Sequence, residues 1–400
     1  MRPLFFLISF IIATQIAAQE QRLKTLLSYS FPTELAASKI QGAIAWVENK
    51  EGVRNIHYAI APEYRPVKLT NYTEDDGQVI SNLEFTEDGE TIIYVRGGAP
   101  NRSGEFPNPT SNPEGYKREI HSVNIISGMT KNLGMGAAPI SVGENIIYLN
   151  KGGAWMMNLK GENATSLFTL RGSVSSIRLS PDKSKIAFVD GRGDHSFIGI
   201  FSLKSKKLTL VSPSIDFDSD PVWSPNGRQL AFLRQGYEKP LLFVPKREAQ
   251  PFSILVADSE TGKSEVIFKA DKGKGSAFQY ISAENQLFWT AGNEVIFPWE
   301  KEGWTQLYSI PTNGGTPTLI TPGSLEVQYI TQSPDRLQII FNSNQNDIDR
   351  QHLWGYDDKL TQLTTGKGIE WLPVIDGTGA IFCLGSSGTQ PADVKQINSG

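Results

Sequence analysis

The sequence is poor in the residues that build disulfide scaffolds and metal centres. Its 400 residues include one cysteine, Cys383, and four histidines. A single thiol cannot form an intramolecular disulfide, and four scattered histidines offer little material for a metal site. The Asp-x-Asp runs lack the glycine and the final glutamate of an EF-hand loop, so calcium is not indicated. We therefore expect no metal and no other cofactor.

A strong excess of one charge is also lacking. Lysine plus arginine number 38 against 42 aspartate plus glutamate, which gives a net charge of −4, and no basic run occurs. Electrostatic capture of nucleic acid or of anionic lipid needs such a run, so we expect no nucleic-acid partner. The sequence also lacks a P-loop, a dinucleotide fingerprint and an HExxH motif.

Long apolar runs are confined to the N-terminus. Arg2 precedes an apolar segment at 4–12, and Ala17 and Ala18 supply the small residues of a cleavage site. This pattern is typical of a secretory signal peptide over residues 1–18, and the segment is too short to span a bilayer comfortably. We predict a periplasmic or secreted protein with no membrane attachment after cleavage. The scarcity of cysteine favours a Gram-negative periplasm.

Glycine, proline and aromatic residues are plentiful, and an internal repeat organises them. The clearest copies are RLSPDKSKIAFV at 178–189, VWSPNGRQLAFL at 222–233, EFTEDGETIIYV at 84–95 and TQSPDRLQIIFN at 331–342. Weaker copies end near residues 45, 147, 288 and 381, so eight copies follow one another at intervals of about 40 to 57 residues. This interval is typical of the blades of a β-propeller.

Each copy predicts a tight hairpin and then a second pair of strands. Proline presets the first turn position, Asp or Asn suits the next, and glycine takes the left-handed one. We therefore predict an all-β fold, a β-propeller of four-stranded blades over residues 19–390. Eight repeats are detected, with seven blades as the alternative. The last blade is expected to be incomplete, because no second half follows Phe382.

The repeat resembles that of TolB-type propellers and that of the propeller in the prolyl oligopeptidase family of serine peptidases. Three longer segments are similar to dipeptidyl peptidase IV-like propellers: WEKEGWTQLY at 299–308, NDIDRQHLW at 346–354 and RGDHSFIG at 192–199. The resemblance covers roughly residues 30 to 390. It implies that the intact protein has an α/β-hydrolase domain with a Ser-Asp-His triad.

The nucleophile elbow of such a domain, Gly-x-Ser-x-Gly, is absent from this sequence. Whether this chain is itself an enzyme is therefore uncertain, and no catalytic residue is assigned. We expect a non-catalytic propeller that gates peptide substrates of an exported serine exopeptidase, a dipeptidyl peptidase-like enzyme. Residues 391–400 would begin the linker to its hydrolase domain. The alternative is a free-standing TolB-type periplasmic propeller that binds a protein or a peptide.

Substrate-binding candidates are sought in the longer connections, since rigid scaffolds usually carry their binding residues on loops. These connections span residues 97–117, 235–251, 292–303 and 342–351. The link before the second strong repeat adds Asp216, Asp218 and Asp220. In an extended segment these alternating carboxylates would point the same way and could bind a protonated amine. The alternative is a solvated turn.

Five further candidates lie in two equivalent connections within blades. They are Asp194, His195, Asp349, Arg350 and His352. One interpretation is contact with a peptide substrate or with the partner domain, with Arg350 as a bidentate donor to a carboxylate. The alternative is a local network of salt bridges and hydrogen bonds that orders each loop.

Overall fold

The computed structural model describes residues 19–25, 27–101, 103–237 and 251–397. The predicted signal peptide at 1–18 and most of the connection at 235–251 lie outside the described residues. A short helical segment at 19–25 precedes the first strand. In the part of the chain that is described, no helix is long and apolar enough to cross a membrane.

The strands group into consecutive antiparallel meanders, numbered here from 1 to 8. Meanders 1 to 4 comprise β1 (Phe31–Ala37), β2 (Ala43–Lys50), β3 (Val53–Ile60) and β4 (Val67–Lys68); β5 (Ile80–Phe85), β6 (Thr91–Arg96), β7 (Glu119–Asn124) and β8 (Thr130–Met135); β9 (Ala137–Val142), β10 (Asn145–Asn150), β11 (Gly153–Asn158) and β12 (Thr165–Phe168); β13 (Ser173–Leu179), β14 (Lys185–Gly191), β15 (Ser196–Ser202) and β16 (Leu208–Leu210).

Meanders 5 to 8 follow the same plan. They comprise β17 (Phe217–Trp223), β18 (Gln229–Gln235), β19 (Ser253–Asp258) and β20 (Ser264–Lys269); β21 (Phe288–Trp289), β22 (Glu294–Trp299), β23 (Gln306–Pro311) and β24 (Thr318–Leu319); β25 (Val327–Gln332), β26 (Ile339–Ser343), β27 (His352–Tyr356) and β28 (Leu360–Gln362); β29 (Gly368–Ile375), β30 (Ile381–Ser387) and β31 (Gln390–Ile397).

Neighbouring strands within each meander are hydrogen-bonded in chain order, which confirms the predicted all-β propeller of four-stranded blades. Meanders 4 and 5 are further joined by a single parallel pair, Ser196 with Phe217. One predicted loop was wrong: residues 292–303 contain β22, because the apolar segment Glu294–Trp299 pairs with β23.

The repeat phrase works as a self-capped turn between the first two strands of a meander. In meander 4 the Ser180 hydroxyl donates to Asp182 Oδ1 at 2.6 Å and accepts from the Lys185 amide at 2.9 Å. The same pair of bonds recurs at Thr86, Ser224 and Ser333. The hydroxyl holds the pKa of Asp182 below its usual range. The predicted hairpin is therefore confirmed in all four strong copies.

The first strand of most meanders carries a β-bulge just before this turn. The register shifts between Ser81 and Glu84 in β5, and equivalent shifts occur in the other first strands β1, β13, β17, β25 and β29. Several bulges include a non-glycine residue with a positive φ, such as Asn82 at 54° and Asp220 at 53°. Because an extra residue enters the strand, side chains on the two sides of a bulge no longer alternate regularly.

Apolar clusters lie at every interface between successive meanders. Meanders 1 and 2, for example, share Ala45, Ile56, Ile80 and Tyr94. The first and last meanders also pack against each other, since Trp46 of meander 1 lies in one apolar cluster with residues of meander 8. No β-sheet within the described residues runs across this closure. The number of blades therefore stays a prediction, and the packing favours eight.

The last meander extends further than the sequence indicated. Gln390–Ile397 forms β31 and pairs with β30 along most of its length, for example Cys383 with Lys395 and Leu384 with Val394. A third strand thus follows Phe382, where no second half was expected. The predicted propeller boundary at residue 390 lies at the start of this strand, so residues 391–397 belong to the last meander and not to a linker.

The meanders present two different ends to solvent. We call the end with the turns between first and second strands the turn face; it includes residues 86–90 and 180–184. The opposite end, the loop face, carries the connections between second and third strands and the links between meanders. The long connection at 97–118 and the link at 211–216 lie there.

Candidate functional site

Charged side chains from four meanders meet near the turn face. Lys39 follows β1, Glu84 ends β5, Arg178 lies in β13, and Glu284 precedes β21. Glu84 and Glu284 raise the pKa of Lys39, whereas Arg178 lowers it. Burial raises the pKa of Glu84, and Lys39 opposes that shift. Arg178 forms an ion pair with Glu284, and Lys39 is near enough to Glu84, Glu284 and Arg178 for their charges to change its pKa, so the four residues are neighbours. We call them the inner charged cluster.

Arg178 reaches from meander 4 to the chain that leads into meander 6. Its Nε donates to Asn285 Oδ1 at 2.8 Å, and its Nη2 donates to the Glu284 carbonyl oxygen at 3.0 Å. Its guanidinium also lies 3.5 Å from the Glu284 carboxylate. These bonds connect meander 4 directly to the chain before meander 6, although meander 5 lies between them in sequence. The two segments therefore lie close together at the turn face.

Two further contacts skip a meander at the turn face. Lys183 Nζ in the turn of meander 4 lies 2.6 Å from Glu87 Oε2 in the turn of meander 2. Arg336 in the turn of meander 7 donates to the Trp223 carbonyl oxygen of meander 5 at 2.6 Å. Together with Arg178, these side chains bridge the turn-face end of the axis.

Asp218 is a structural residue. Its carboxylate is completely buried and accepts two hydrogen bonds from Arg234, at 2.7 Å from Nε and 2.8 Å from Nη2. The same Nη2 donates to the Ser212 carbonyl oxygen at 2.8 Å, and Asp218 in turn raises the pKa of Arg234. Both carboxylate oxygens are therefore committed to anchoring the link between meanders 4 and 5.

The three alternating aspartates do not form one pocket. The β17 register shifts between Ser219 and Val222, and Asp220 itself has a φ of 53°, so the predicted alternation ends at Asp218. Burial raises the pKa of Asp220, and the charge of Arg178 opposes that shift. Asp220 therefore lies towards the inner charged cluster.

Asp216 lies on the loop face, at the end of the link before β17. Its carboxylate accepts a hydrogen bond from the Ser214 hydroxyl at 3.1 Å. It lines a cavity of about 650 Å³ together with Arg234, Pro251 and Lys269. Of the three aspartates, Asp216 is the one that lines this cavity.

Asp194 and His195 form a local pair in the connection between β14 and β15. His195 Nδ1 lies 2.7 Å from Asp194 Oδ1, and the ring lies edge-on to Phe197 at 4.8 Å between centroids. Ser196 donates its amide to the Asp216 carbonyl oxygen at 3.2 Å, which brings this pair next to the link of meander 5.

Asp349 and Arg350 contact their own loop. Asp347 accepts from the Asp349 amide at 3.2 Å and from Arg350 Nη1 at 2.9 Å. His352 is buried instead, with Nδ1 at 3.0 Å from Glu370 Oε2. Glu370 lies in β29, so this contact joins meanders 7 and 8. The candidates of meander 7 are therefore not gathered with those of meanders 4 and 5.

Sequence reasoning missed the inner charged cluster. A signal existed for two members, since Glu84 and Arg178 each lie two residues before the turn hydroxyl of a repeat copy, at Thr86 and Ser180. The other two strong copies have the uncharged residues Val222 and Thr331 at that position. In the described parts of the chain, no group of three His, Cys, Asp or Glu residues could hold a metal ion.

Comparison with known proteins finds a family model that matches part of this propeller. Residues 238–391 match the family model described as the dipeptidyl peptidase IV (DPP IV) N-terminal region. The resemblance to the propellers of dipeptidyl peptidase IV-like and prolyl oligopeptidase-family peptidases is therefore confirmed. The segments at 299–308 and 346–354 both lie within the matched range.

Solved structures support the fold over most of the chain. Dipeptidyl peptidase 4 of Porphyromonas gingivalis is similar at a TM-score of 0.65 and 14% identity, over 95% of this chain and 60% of that chain. A prolyl endopeptidase gives 0.59 and 10%, over 91% and 55%. The β-propeller domain of the Trilobed protease from Pyrococcus furiosus gives 0.50 and 15%, over 81% and 94%. This chain thus spans 60% of the length of the Porphyromonas gingivalis enzyme.

Proposed function

We propose that this chain is the substrate-gating propeller of an exported serine peptidase. An α/β-hydrolase domain of the same protein would cleave peptides, as in a dipeptidyl peptidase. The match of residues 238–391 to the DPP IV N-terminal region supports this proposal, and so does the greater length of the similar peptidase structures. The apolar segment at 4–12 supports export.

The observation that carries the gating role is the contrast between the two ends of the axis. Side chains that skip a meander bridge the turn face, as Lys183 and Glu87 do at 2.6 Å. The loop face carries long connections and two open cavities of about 360 and 650 Å³. We infer that peptides reach the interior at the loop face, against which the hydrolase domain would lie, and that folded proteins are excluded.

The substrate would meet carboxylates on this route. Asp216 lines the larger cavity at the loop face, and Asp220 lies deeper, near Arg178. An exopeptidase must recognise a protonated amine, and a carboxylate is the group that pairs with it. We propose Asp216 as a substrate contact and assign no such role to Asp218, whose oxygens are already bonded to Arg234.

Cross-linking of the turn face tests the route in the full-length protein. Glu87→Cys and Lys183→Cys are combined and joined by a short bis-maleimide. The native Cys383 would not compete, since it is fully buried and burial raises its pKa to about 12. We expect hydrolysis of short peptides with a free N-terminus to be unchanged by the cross-link. The control is each single-cysteine variant labelled with a monofunctional maleimide.

A large loss of hydrolysis in the cross-linked double variant, but not in the labelled single-cysteine variants, would contradict the proposed entry of peptides at the loop face. It would mean that peptides enter at the turn face. The peptidase assignment has a separate test. The gene should encode a Gly-x-Ser-x-Gly elbow within one further domain, and changing that serine to alanine should abolish peptide hydrolysis. A gene without the elbow, or activity that survives the change, would contradict the assignment itself.

A further inference from the structure

A polar cavity of about 360 Å³ lies at the loop face of meander 2. It is enclosed by the link before β5 and by the connection at 97–118, and its lining includes Asp76, Gln78, Arg96, Lys117 and Glu119. At roughly 30 Å³ per water molecule, it has room for about a dozen. Its size suits a small metabolite.

The walls of the cavity are well defined. A Cβ on Gly77 would come within 2.6 Å of the Pro109 Cβ, so the link and the connection are in close contact. Asn108 and Asn112 order the connection through two reciprocal hydrogen bonds, at 2.9 Å from Asn108 Nδ2 to the Asn112 carbonyl oxygen and 3.0 Å from the Asn112 amide to Asn108 Oδ1.

One ion pair in the cavity is already complete. Arg96 Nη2 bonds to Asp76 Oδ2, and the Arg96 guanidinium lies 4.3 Å above the Tyr72 ring. Asp76 Oδ1 accepts the Gln78 amide at 3.0 Å. The charge of Arg96 and the charge of Asp76 therefore satisfy each other and leave little for a ligand.

One buried acceptor in the cavity lacks a donor, and the carboxylate beside it has only a distant partner. Gln78 is 8% exposed, and its Oε1 has no hydrogen-bond donor among the described residues. The carboxylate of Glu119 lies 3.6 Å from His121 Nε2, too far for a hydrogen bond. Burial lowers the pKa of His121, and the charge of Glu119 opposes that shift. Buried acceptors without donors are rare and call for an explanation.

A cationic group stands close to these acceptors. Lys117 is exposed and has no ion-pair partner in the described part of the chain. It lies two residues before Glu119, and both side chains line the cavity, as expected for alternate residues of an extended segment. The cavity thus presents a carboxylate whose nearest cationic partner is His121 at 3.6 Å, an amide oxygen without a donor, and an exposed lysine without an ion-pair partner among the described residues.

The support beneath these groups is rigid. The Tyr72 and Tyr94 hydroxyls lie 2.7 Å apart, and Tyr94 stacks on His121 with 5.4 Å between centroids. Arg96 and Glu119 are directly opposite partners in the β6–β7 pairing. Pre-organised polar groups of this kind reduce the free energy lost on binding.

We propose that this cavity binds a small zwitterion, with an ammonium and a carboxylate on neighbouring atoms as in a free α-amino acid. Glu119 and the Gln78 Oε1 accept hydrogen bonds from the ammonium, and Lys117 pairs with the carboxylate. This site is separate from the proposed peptidase function and does not depend on it.

Three matched probes separate the zwitterion from its halves. L-alanine carries both charges, L-alaninamide only the ammonium, and N-acetyl-L-alanine only the carboxylate. Binding to the full-length protein is measured by titration calorimetry and by ligand-observed NMR. We expect saturable binding of L-alanine. Each of the other two probes should bind at least about tenfold more weakly, because each lacks one of the two charged groups and so loses a charge-assisted hydrogen bond.

Variants assign the contacts. Glu119→Gln and Lys117→Met should each weaken L-alanine binding about tenfold or more, and Gln78→Met should weaken it to a similar degree. The exposed Glu114 lies on the same connection but does not line the cavity, so Glu114→Gln should bind L-alanine as the unchanged protein does. Unfolding temperatures of all variants verify that the fold is retained.

Equal binding of L-alanine and L-alaninamide would overturn the zwitterion and leave a site for an ammonium alone. Absence of L-alanine binding at tens of millimolar, or binding that Glu119→Gln leaves intact, would overturn the site. Peptide hydrolysis does not enter any of these readouts, so a failure here would not bear on the peptidase assignment.

Discussion

The turn face and the loop face of this propeller use their charged residues differently. At the turn face, short turns bring side chains of non-adjacent meanders into contact, as between Arg178 and Asn285 at 2.8 Å. At the loop face, most ion pairs stay within one meander and its link, as between Arg234 and Asp218 at 2.7 Å; the pair of His352 and Glu370, which joins meanders 7 and 8, is an exception. The first pattern ties the ring together across its axis, and the second fixes individual connections.

This difference between the two faces indicates where a ligand can bind. At the turn face, the two cationic and two anionic residues of the inner charged cluster neutralise one another. The loop face combines anchored pairs with groups that lack partners, such as Gln78 and Lys117. Long connections on a fixed scaffold therefore supply the free polar groups, while the short turns supply closure.

The largest expected effect is at the anchored pair of the loop face. Asp218→Asn neutralises a completely buried carboxylate and leaves the charge of Arg234, whose side chain is 18% exposed, without its partner. We expect the free energy of unfolding to fall by about 3–5 kcal/mol. Urea unfolding followed by tryptophan fluorescence measures it.

The neighbouring Asp216→Asn is the matched control. Asp216 has no ion-pair partner among the described residues, so this change should alter the free energy of unfolding by about 0.5 kcal/mol or less. Equal losses from the two variants would contradict the assignment of Asp218 as the anchor of the link. Replacing Asp218 by leucine and Arg234 by methionine together should restore part of the stability.

An intermediate effect is expected at the inner charged cluster. Arg178→Met removes three hydrogen bonds from the guanidinium, to Asn285 and to the carbonyl oxygens of Glu284 and Ile177, at a partly exposed site. We expect a loss of about 1–2 kcal/mol in the free energy of unfolding. The exposed Arg171 serves as the control, since Arg171→Met should have little effect. If Arg178→Met lowers the free energy of unfolding no more than Arg171→Met does, the bonds of Arg178 do not stabilise the contact between meanders at the turn face.

The smallest effect is expected at the exposed bridge of the turn face. Glu87→Gln removes the ion pair with Lys183, whose side chain is 51% exposed. We expect a loss of about 0–1 kcal/mol at low ionic strength, and a smaller one in high salt, because exposed charges are screened. Unfolding temperatures of both proteins at several salt concentrations measure this difference. A loss of the size expected for Asp218→Asn would mean that the bridge is buried and unscreened.

The predictable parts of the fold are those set by neighbours in sequence. The Ser-Pro-Asp phrase at 180–182 has its hydroxyl, its proline and its carboxylate within three residues, so its turn forms from local bonds alone. The same holds for Ser333, and both turns are where the repeat placed them. Apolar alternation after each turn identified the strands for the same reason.

The surroundings of the candidate site residues depended on residues distant in sequence. Asp218 was read as one of three parallel carboxylates, but Arg234 lies one strand away and takes both of its oxygens. The bulge that turns Asp220 towards Arg178 leaves no mark in the pattern of alternating residues. In sequence, His352 belongs to a loop. In the structure it contacts Glu370 of the next meander, which the sequence pattern does not indicate.

The sequence by itself determined the repeating hairpins, the all-β class and the resemblance to peptidase propellers, because each rests on residues within one copy of the repeat. Only the tertiary structure decided which charges face each other. Lys39, Glu84, Arg178 and Glu284 belong to four meanders, and they interact because packing between successive meanders carries the chain around an axis. Electrostatic and hydrogen-bonding partners are set by distance in space, which a linear pattern of residues does not contain.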